Sequence, residues 1–459
     1  MHAPDPDPAP APDPITRWHC ERADAAEATT ARRERFELPS GVIHLDGNSL
    51  GPLAAGVAER VAHTVRHEWG VGLIRSWNDA GWIGAPRRLG ARLAPLLGAD
   101  ADEVVVCDST SINLVKAAHA ALSLRPARTV LLTEDDGFPT DRYLLTRIAA
   151  DRGLRLVTAP AVEVAAWVLA AGAAAAVAAG TRQPADGAPV ASAAPAPATL
   201  GRLDPTDVAL VALGHVDYRD GTRHDLGAVT AAAHRLGALV LWDLAHSAGV
   251  VPLRLDRDAV DFAVGCTYKY LNGGPGSPAF VFVARRWHDR LDHPLVGWMG
   301  HARPFAFAPG YDPAPGPSAM LTGTPPILAF AALEAALDVF DGADLEALFA
   351  RQVELSALAL RLLSPVAATY PELRVASPLD PAQRGAHLAL RHPEALAVSA
   401  ALIERGVIGD FRPPDLLRWA FAPLYVRRVD VFDAVAALAD VLDRRSWDDE
   451  RHRRARTVT

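Results

Sequence analysis

The chain has 459 residues, of which 50% are hydrophobic and 22% charged, and its formal net charge is −8. This composition is typical of a soluble globular protein with one large core and a second, smaller one, and it lacks the basic surplus of a nucleic-acid-binding protein. Three widely spaced cysteines, Cys20, Cys107 and Cys266, argue against a disulfide framework or a metal site and favour a reducing cytoplasm.

The two ends of the chain and one internal stretch are predicted to lie outside the folded core. Residues 1–16, rich in Pro, Asp and Ala, predict a disordered leader without the features of a signal peptide. Residues 17–60 form a predicted N-terminal segment, residues 180–205 a flexible Pro/Ala-rich surface insertion, and residues 451–459 a basic tail. Residues 164–181 carry no charge but are mostly Ala and Gly, which favours a surface helix over a membrane span.

Between residues 61 and 325, short apolar strands alternate with helical segments. The strands are predicted at EVVVCD, RTVLLTE, VALVAL, ALVLWD, VDFAVGC and AFVFVA. This alternation indicates the α/β class, with a mostly parallel sheet buried on both faces. From residue 326 to residue 450, long helices accompany strands such as GAHLALRH, which predicts a smaller C-terminal α+β domain.

Polar side chains follow several of these strands, at the edge where an open α/β sheet binds its ligands. The stretch DSTS, residues 108–111, stands at a helix start, where it suits either a phosphate group or plain capping of the helix. Asp243, after ALVLW, suits either a protonated ring nitrogen or a capping role. His246, three residues later, is by itself typical of a structural histidine.

Lys269 follows the strand VDFAVGC and is one of only two lysines, the other being Lys116, among 46 basic residues. A primary amine forms an imine with a carbonyl compound, whereas a guanidinium does not. We therefore interpret Lys269 as retained for imine chemistry, although Lys116 shows that chance or packing also preserves a lysine. An imine-forming lysine, an acid for a ring nitrogen and a phosphate site together indicate pyridoxal phosphate.

Eight motifs resemble, in order and spacing, those of the bacterial kynureninases, a family of fold-type-I pyridoxal phosphate enzymes. They are HLDGNSLGPL, RSWNDAGW, DSTSINLVKAA, FPTDRY, WDLAHSAGVVPL, VDFAVGCTYKYLNGGPGSPAF, GWMGHARPFAF and GTPPIL, from residue 44 onwards. The resemblance implies a large cofactor-binding domain on a mostly parallel seven-stranded sheet, and a homodimer with shared active sites. It also implies hydrolysis of L-kynurenine, or of 3-hydroxykynurenine, to anthranilate or its 3-hydroxy form and L-alanine, in tryptophan catabolism.

The resemblance also implies roles for individual positions. Lys269 holds the cofactor as an imine, Tyr268 reaches its phosphate and donates a proton, and Asp243 pairs with the pyridine nitrogen. The further cofactor contacts that it implies are Thr110, Ser111, Phe138, which stacks on the ring, Pro139, Thr140, Asp141 and His246, together with Trp298 and Thr324 from the partner subunit.

For the substrate, the resemblance implies that Arg418, in DLLRWAFAPLY, binds the carboxylate, with Arg412 as a nearby alternative. Trp77, in RSWN, either lines the aryl pocket or is an ordinary core tryptophan. Gly214 departs from the family pattern, because a small hydroxyl residue is common at this position. The insertion at residues 180–205 is a second departure.

Two other functions remain open at this stage. A cysteine desulfurase, or another β-eliminating relative on the same fold, needs a nucleophilic cysteine on a mobile loop, and none of the three cysteines is well placed for that. A non-catalytic scaffold needs no set such as Lys269, Asp243 and Arg418. The sequence therefore favours a kynurenine-cleaving hydrolase over both alternatives.

Overall fold

The computed structural model describes residues 15–180 and 200–454. Most of the predicted leader and of the predicted insertion, and the last five residues of the predicted basic tail, lie outside the described residues. The strands are β1 (Ile43–His44), β2 (Val104–Val106), β3 (Val130–Glu134), β4 (Arg155–Ala159), β5 (Val208–Gly214), β6 (Leu239–Asp243), β7 (Phe262–Gly265), β8 (Phe280–Val283), β9 (Arg374–Val375), β10 (His387–Arg391), β11 (Val407–Ile408), β12 (Asp410–Arg412) and β13 (Leu416–Ala420).

The α-helices fall between and after these strands, and short 3-10 turns join several of them. They are α1 (Arg17–Ala25), α2 (Val57–His63), α3 (Ser76–Asp79), α4 (Ala85–Leu97), α5 (Thr110–Ser123), α6 (Pro139–Asp151), α7 (Ala161–Ala178), α8 (Leu226–Arg235), α9 (Ile327–Ala336), α10 (Leu345–Thr369), α11 (Ala395–Ile403) and α12 (Arg428–Asp443). A π-helical stretch, Thr64–Gly72, continues α2.

Among the residues that the structure describes, seven strands form the central sheet, in the order β2-β8-β7-β6-β5-β3-β4. Only β8 runs antiparallel to its neighbours, β2 and β7, and the remaining pairs are parallel. The α/β class and the six strands predicted from sequence are confirmed. The seventh strand, β4, was not located from sequence. Its position at the sheet edge leaves Arg155 exposed and three further residues only half buried, so the apolar signal is weak.

The sheet separates two apolar cores, and the strands contribute to both of them. In β2, Val104 and Val106 pack into one core while Val105 packs into the other. Helix α8 illustrates how local sequence sets the limits of the covering helices. Its first turn is capped by Asp225, whose side chain accepts a hydrogen bond from Ala228 N, and Gly237 follows its end with φ +75°.

Helix α7 is the one helix within the described residues that is long and apolar enough to cross a membrane. It packs instead against α8, where a Cβ atom added at Gly172 would lie 2.8 Å from the Cα of Ala232. The Arg235 side chain of α8 also donates a hydrogen bond to the Gly172 carbonyl, at 3.0 Å. Only 33% of this helix is buried, which agrees with the prediction of a surface helix.

The C-terminal part contains a four-stranded antiparallel sheet, in the order β12-β13-β10-β9. The N-terminal segment is joined to this part, because β1 pairs in parallel with β11 and Ala420 N donates to the Leu45 carbonyl at 2.7 Å. The loop that follows β1 thereby lies between the C-terminal sheet and the central sheet. The predicted domain boundaries, at residues 60, 325 and 450, stay predictions.

Candidate active site

Lys269 lies in the turn that follows β7, at the carboxyl edge of the central sheet. Its Nζ atom is 2.9 Å from Nε2 of His246, which follows β6. Burial and the nearby Lys269 charge lower the pKa of His246 well below its usual range, so the imidazole is neutral and accepts a hydrogen bond from the lysine. The His246 ring therefore contacts the amine directly, and its role in the site stays a prediction.

Two carboxyl groups share a hydrogen bond beside this amine. Asp243, the last residue of β6, accepts hydrogen bonds from Ala245 N, at 2.8 Å, and from the Asp141 side chain. Burial and the neighbouring Asp243 charge raise the pKa of Asp141, which therefore carries the shared proton. Burial also raises the pKa of Asp243, while the Lys269 charge lowers it. Asp243 is thus an acceptor that is suited to a cationic N–H group.

A third carboxyl, Glu134 at the end of β3, was not identified from sequence. Its Oε1 atom accepts a hydrogen bond from Gly214 N at 2.9 Å, and burial raises its pKa to about 8. A Cβ atom at Gly214 would lie 3.2 Å from Glu134 Oε1, and one at Gly137 would lie 2.3 Å from Glu134 Cδ. Glu134 therefore occupies the space left by these two glycines, and Gly214 is part of that arrangement.

The predicted phosphate site lies at the start of α5. Ser109 caps this helix, since its Oγ accepts a hydrogen bond from Ile112 N. Thr110 and Ser111 are half buried, and neither hydroxyl has a hydrogen bond to another described residue. The capping interpretation thus applies to Ser109, and phosphate binding by Thr110 and Ser111 stays a prediction.

The residues from Phe138 to Asp141 form the start of α6. Phe138 precedes the helix, and Pro139 and Thr140 occupy its first two positions. Phe138 is 49% exposed, and its ring contacts the Tyr218 ring edge-on, with 5.4 Å between centroids. Stacking of Phe138 on a flat ligand stays a prediction.

Tyr268 is connected to the loop after β1. Its carbonyl accepts a hydrogen bond from Gly51 N at 2.9 Å, and a Cβ atom at Gly51 would lie 2.4 Å from the Lys269 carbonyl oxygen. Burial raises the pKa of Tyr268, and the neighbouring Cys266 raises it further. The phenol therefore stays protonated and is able to donate its proton. The HLDGNSLGPL motif thus has a structural role in supporting the lysine turn.

Arg418, on β13, is 1% exposed and paired with Asp410 of β12. Its Nε atom donates to Asp410 Oδ1 at 2.7 Å and its Nη2 atom to Asp410 Oδ2 and to Ser49 Oγ, while Nη1 donates to the Tyr218 carbonyl. These bonds use four of the five N–H groups of a guanidinium, which leaves one on Nη1. Arg412, paired with the same Asp410 at 2.8 Å, is more exposed, at 35%.

Three predicted site residues are not brought to Lys269 within this single chain. Trp77 is half buried, and its ring contacts that of Trp82, with 5.9 Å between centroids. The Trp298 ring contacts that of Phe305, with 5.6 Å between centroids, and Thr324 is exposed. Across residues 15–180 and 200–454, no hydrogen bond or ring contact joins these three residues to the lysine site, and their roles stay predictions.

Known proteins of one family are similar to this chain over most of its length. The family model of the kynureninase C-terminal domain matches residues 348–438. Kynureninase from Pseudomonas fluorescens is 43% identical over 440 residues, which are 94% of this chain and 97% of that protein. Kynureninase from Deinococcus radiodurans is 45% identical over 428 residues, which are 92% of this chain and 95% of that protein.

Solved structures with a similar fold are more distant in sequence. The cysteine desulfurase CsdA from Escherichia coli has a TM-score of 0.69 at 19% identity and covers 91% of this chain and 99% of its own. C-DES, solved with glycine covalently linked to its pyridoxal phosphate cofactor, has a TM-score of 0.68 at 18% identity, with 89% and 99% covered. These structures confirm the fold alone. The identity to curated relatives over nearly the whole of both chains shows that this chain belongs to the kynureninase family.

Proposed function

We propose that this chain uses pyridoxal phosphate to hydrolyse L-kynurenine to anthranilate and L-alanine. One observation carries this proposal. The amine of Lys269 is hydrogen-bonded to His246 and lies beside Asp243, at the ligand-binding edge of the sheet, in a chain of this family. The same proposal assigns to the site residues predicted from sequence their predicted roles in catalysis and in binding of the cofactor and the substrate.

The residues present fit the three functional parts of the cofactor. Lys269 is the amine for the aldehyde, and Asp243, backed by Asp141, is the acceptor for the ring nitrogen. The start of α5, with the unbonded hydroxyls of Thr110 and Ser111, is the site for the phosphate. When bound, pyridoxal phosphate supplies an electron sink for the carbanion at the substrate Cα.

The chain itself moves the protons. Lys269 Nζ would be the base that takes the Cα proton and, after the Cβ–Cγ bond has broken, the acid that returns a proton to Cα, while His246 Nε2 orients this amine. Water then adds to the γ-carbonyl carbon, the Cβ–Cγ bond breaks, and its electron pair stays on Cβ. Tyr268, a protonated phenol, is the donor whose proton helps convert this carbon into the methyl group of alanine.

Substrate recognition is assigned to the arginines beside Asp410. The remaining N–H of Arg418 Nη1 and the half-buried guanidinium of Arg412 provide the positive charge that a carboxylate requires. Because Asp410 occupies the bidentate edge of Arg418, the substrate carboxylate is bound through Nη1 of this residue.

The desulfurase alternative lacks a suitable nucleophile. Cys20, Cys107 and Cys266 are all buried, and burial raises the pKa of each thiol, that of Cys107 to about 11. A desulfurase needs an accessible thiolate, and these three thiols are neutral and enclosed. The cysteines therefore favour kynurenine cleavage over sulfur transfer on this fold.

We infer in addition that the enzyme is a cytoplasmic homodimer. Phe305 and Phe307 are exposed in the loop that also carries Trp298, and Thr324 is exposed nearby in sequence, which supports a contact with a second copy there. In that dimer Trp298 and Thr324 complete the partner's site, and Trp77 lines the aryl pocket. The three free cysteines favour a reducing compartment.

The experiment incubates the purified protein and pyridoxal phosphate with L-kynurenine and, separately, with 3-hydroxykynurenine, and follows the aminobenzoate product by fluorescence. We expect anthranilate from the first substrate, and the ratio of kcat/KM values ranks the two substrates. Lys269→Ala is expected to lose both the imine absorbance and turnover. The proposal is wrong if wild-type protein with bound cofactor releases neither product, and release of sulfide from cysteine would support the alternative.

A further inference from the structure

Lys116, the second lysine of the chain, lies on α5 with a fully buried side chain, 0% exposed. An ammonium group inside a protein is costly unless acceptors take up its N–H groups and an opposite charge is near. Surface charge does not explain a lysine at this depth. In a chain whose basic residues are nearly all arginine, the presence of this lysine has an internal cause.

The Lys116 ammonium has one acceptor for each of its three N–H groups. Nζ donates to Asp108 Oδ2 at 2.6 Å, to Cys107 Sγ at 3.5 Å and to the Met320 carbonyl oxygen. Burial keeps the Cys107 thiol neutral, so Asp108 supplies the opposite charge. A planar guanidinium with five donors does not match these three converging acceptors. The site therefore specifies lysine.

Asp108 has an unusual backbone conformation directly before the residue that caps α5. Its φ is +47°, in the left-handed region that is unfavourable for a residue with a side chain. Its carboxylate also accepts a hydrogen bond from Thr322 Oγ1, with 3.0 Å to Oδ1. Ser109, the next residue, caps α5, so the side-chain bonds of Asp108 act directly at the start of this helix.

The same contacts reach the loop with Trp298. Met299 N donates to the Thr322 carbonyl at 3.1 Å, and a Cβ atom at Gly297 would lie 2.3 Å from that carbonyl oxygen. Residues 297–300 therefore pack against residues 319–322, and this second segment is hydrogen-bonded to Lys116 and Asp108. One buried ammonium thus joins the start of α5 to the loop proposed to enter the partner's site.

We propose that Lys116 is a positioning residue that presets the turn at residues 108–111 for a phosphate group, by holding Asp108 against Met320 and Thr322. This inference rests on the proposed function, because it takes the ligand of the turn to be the phosphate of the cofactor. It assigns to Lys116 no contact with the phosphate itself. Its effect is on the geometry of the N–H and hydroxyl donors.

The test compares pyridoxal phosphate with pyridoxal, which bonds to the same lysine but lacks the phosphate. Both ligands are titrated by absorbance into cofactor-free wild-type protein and into Lys116→Met. We expect the Kd for pyridoxal phosphate to rise about tenfold or more, and the Kd for pyridoxal to stay within about twofold. Lys116→Arg is expected to behave like Lys116→Met, because charge without the correct shape does not hold Asp108.

Asp108→Asn removes the partner charge and keeps the size of the side chain, so it gives a second reading if Lys116→Met does not fold. It is expected to show the same phosphate-selective loss. Ser123→Ala, at the far end of α5, is the control and is expected to leave both Kd values unchanged. An unchanged Kd for pyridoxal phosphate in the folded variants, or an equal loss for both ligands, overturns the proposal. Failure of wild-type protein to bind pyridoxal phosphate would instead refute the proposed function.

Discussion

The two sides of the candidate active site consist of acidic and of basic side chains, and the charge of each side is controlled in a different way. On one side, Glu134, Asp141 and Asp243 form an acid wall at the ends of central-sheet strands and the start of α6, where burial raises the pKa of each carboxyl. On the other side, Arg412 and Arg418 of the C-terminal sheet form an arginine wall that is paired with Asp410. The acid wall is controlled by protonation, and the arginine wall by fixed ion pairs.

This difference matches two different tasks. A carboxylate whose proton is shared with a neighbour adjusts to a cationic ring nitrogen, as Asp243 does through Asp141. A guanidinium is always charged, so its geometry rather than its protonation determines what it binds, and Asp410 fixes that geometry for Arg418. Variants on the two walls should therefore differ both in size of effect and in dependence on pH.

Among variants of the two walls, the largest effect is expected for Asp243→Asn, which keeps the shape of the acid wall and removes its charge. Without this carboxylate the ring nitrogen is not held in its protonated form, and kcat should fall by about 10³-fold. Steady-state turnover of kynurenine by variant protein saturated with cofactor measures this. A kcat within tenfold of wild type would mean that another group holds the ring nitrogen.

On the arginine wall, Arg418→Lys should lower kcat/KM for kynurenine by about 10²-fold, mainly through KM. The lysine loses the bidentate bond to Asp410 and the donor of Nη1. Arg412→Lys is the matched control on the same ion-pair partner and should have the smaller effect. The opposite order of the two variants would transfer carboxylate binding to Arg412.

Glu134 gives the acid wall a measurable dependence on pH. Its pKa is about 8 in the folded protein against an ordinary 4.5, because burial disfavours its charged form. Between these two values the folded state binds a proton that the unfolded state has lost, so the free energy of unfolding decreases as pH rises and levels off above about pH 8.

The Glu134→Gln variant has no ionisable group at this position, so this proton no longer contributes to its stability. Cofactor-free wild-type protein should therefore lose more thermal stability between about pH 5 and pH 8 than the variant does. Melting temperatures of both proteins across this interval measure the difference. Parallel curves for the two proteins would show that Glu134 is ionised in the folded state and that its carboxylate is stabilised by its neighbours.

The sequence predicted the central sheet and the position of Lys269, Asp243 and the start of α5, because buried strands and the polar residues after them are local signals. The strand Arg155–Ala159 was missed, since an edge strand exposes one side to solvent and loses its apolar pattern. The importance of Glu134 depends on space left by Gly137 and Gly214, which are distant in sequence from each other. Such packing is visible only in three dimensions.

Lys116 is a second residue whose role depends on contacts that the sequence does not show. The rarity of lysine marked both positions, but only burial and three acceptors separate a structural ammonium from the reactive one at Lys269. Likewise, the motif around Arg418 suggested an arginine free to bind a carboxylate, and the pairing with Asp410 appears only when β12 and β13 are aligned. Tertiary pairing thus decides what a charged residue has left for a ligand.

The smallest effect is expected for Gly214→Ala, which tests whether this glycine accommodates Glu134. Gly214 is not among the residues with positive φ, so alanine brings no backbone strain, but its Cβ would lie 3.2 Å from Glu134 Oε1. The change should destabilise the protein by less than about 1 kcal/mol. In a Glu134→Ala background the contact is gone and the same change should cost nothing, a coupling of about 0.5 kcal/mol in a double-mutant cycle. Equal costs in both backgrounds would show that the glycine at this position is unrelated to Glu134 and that the acid wall tolerates a side chain there.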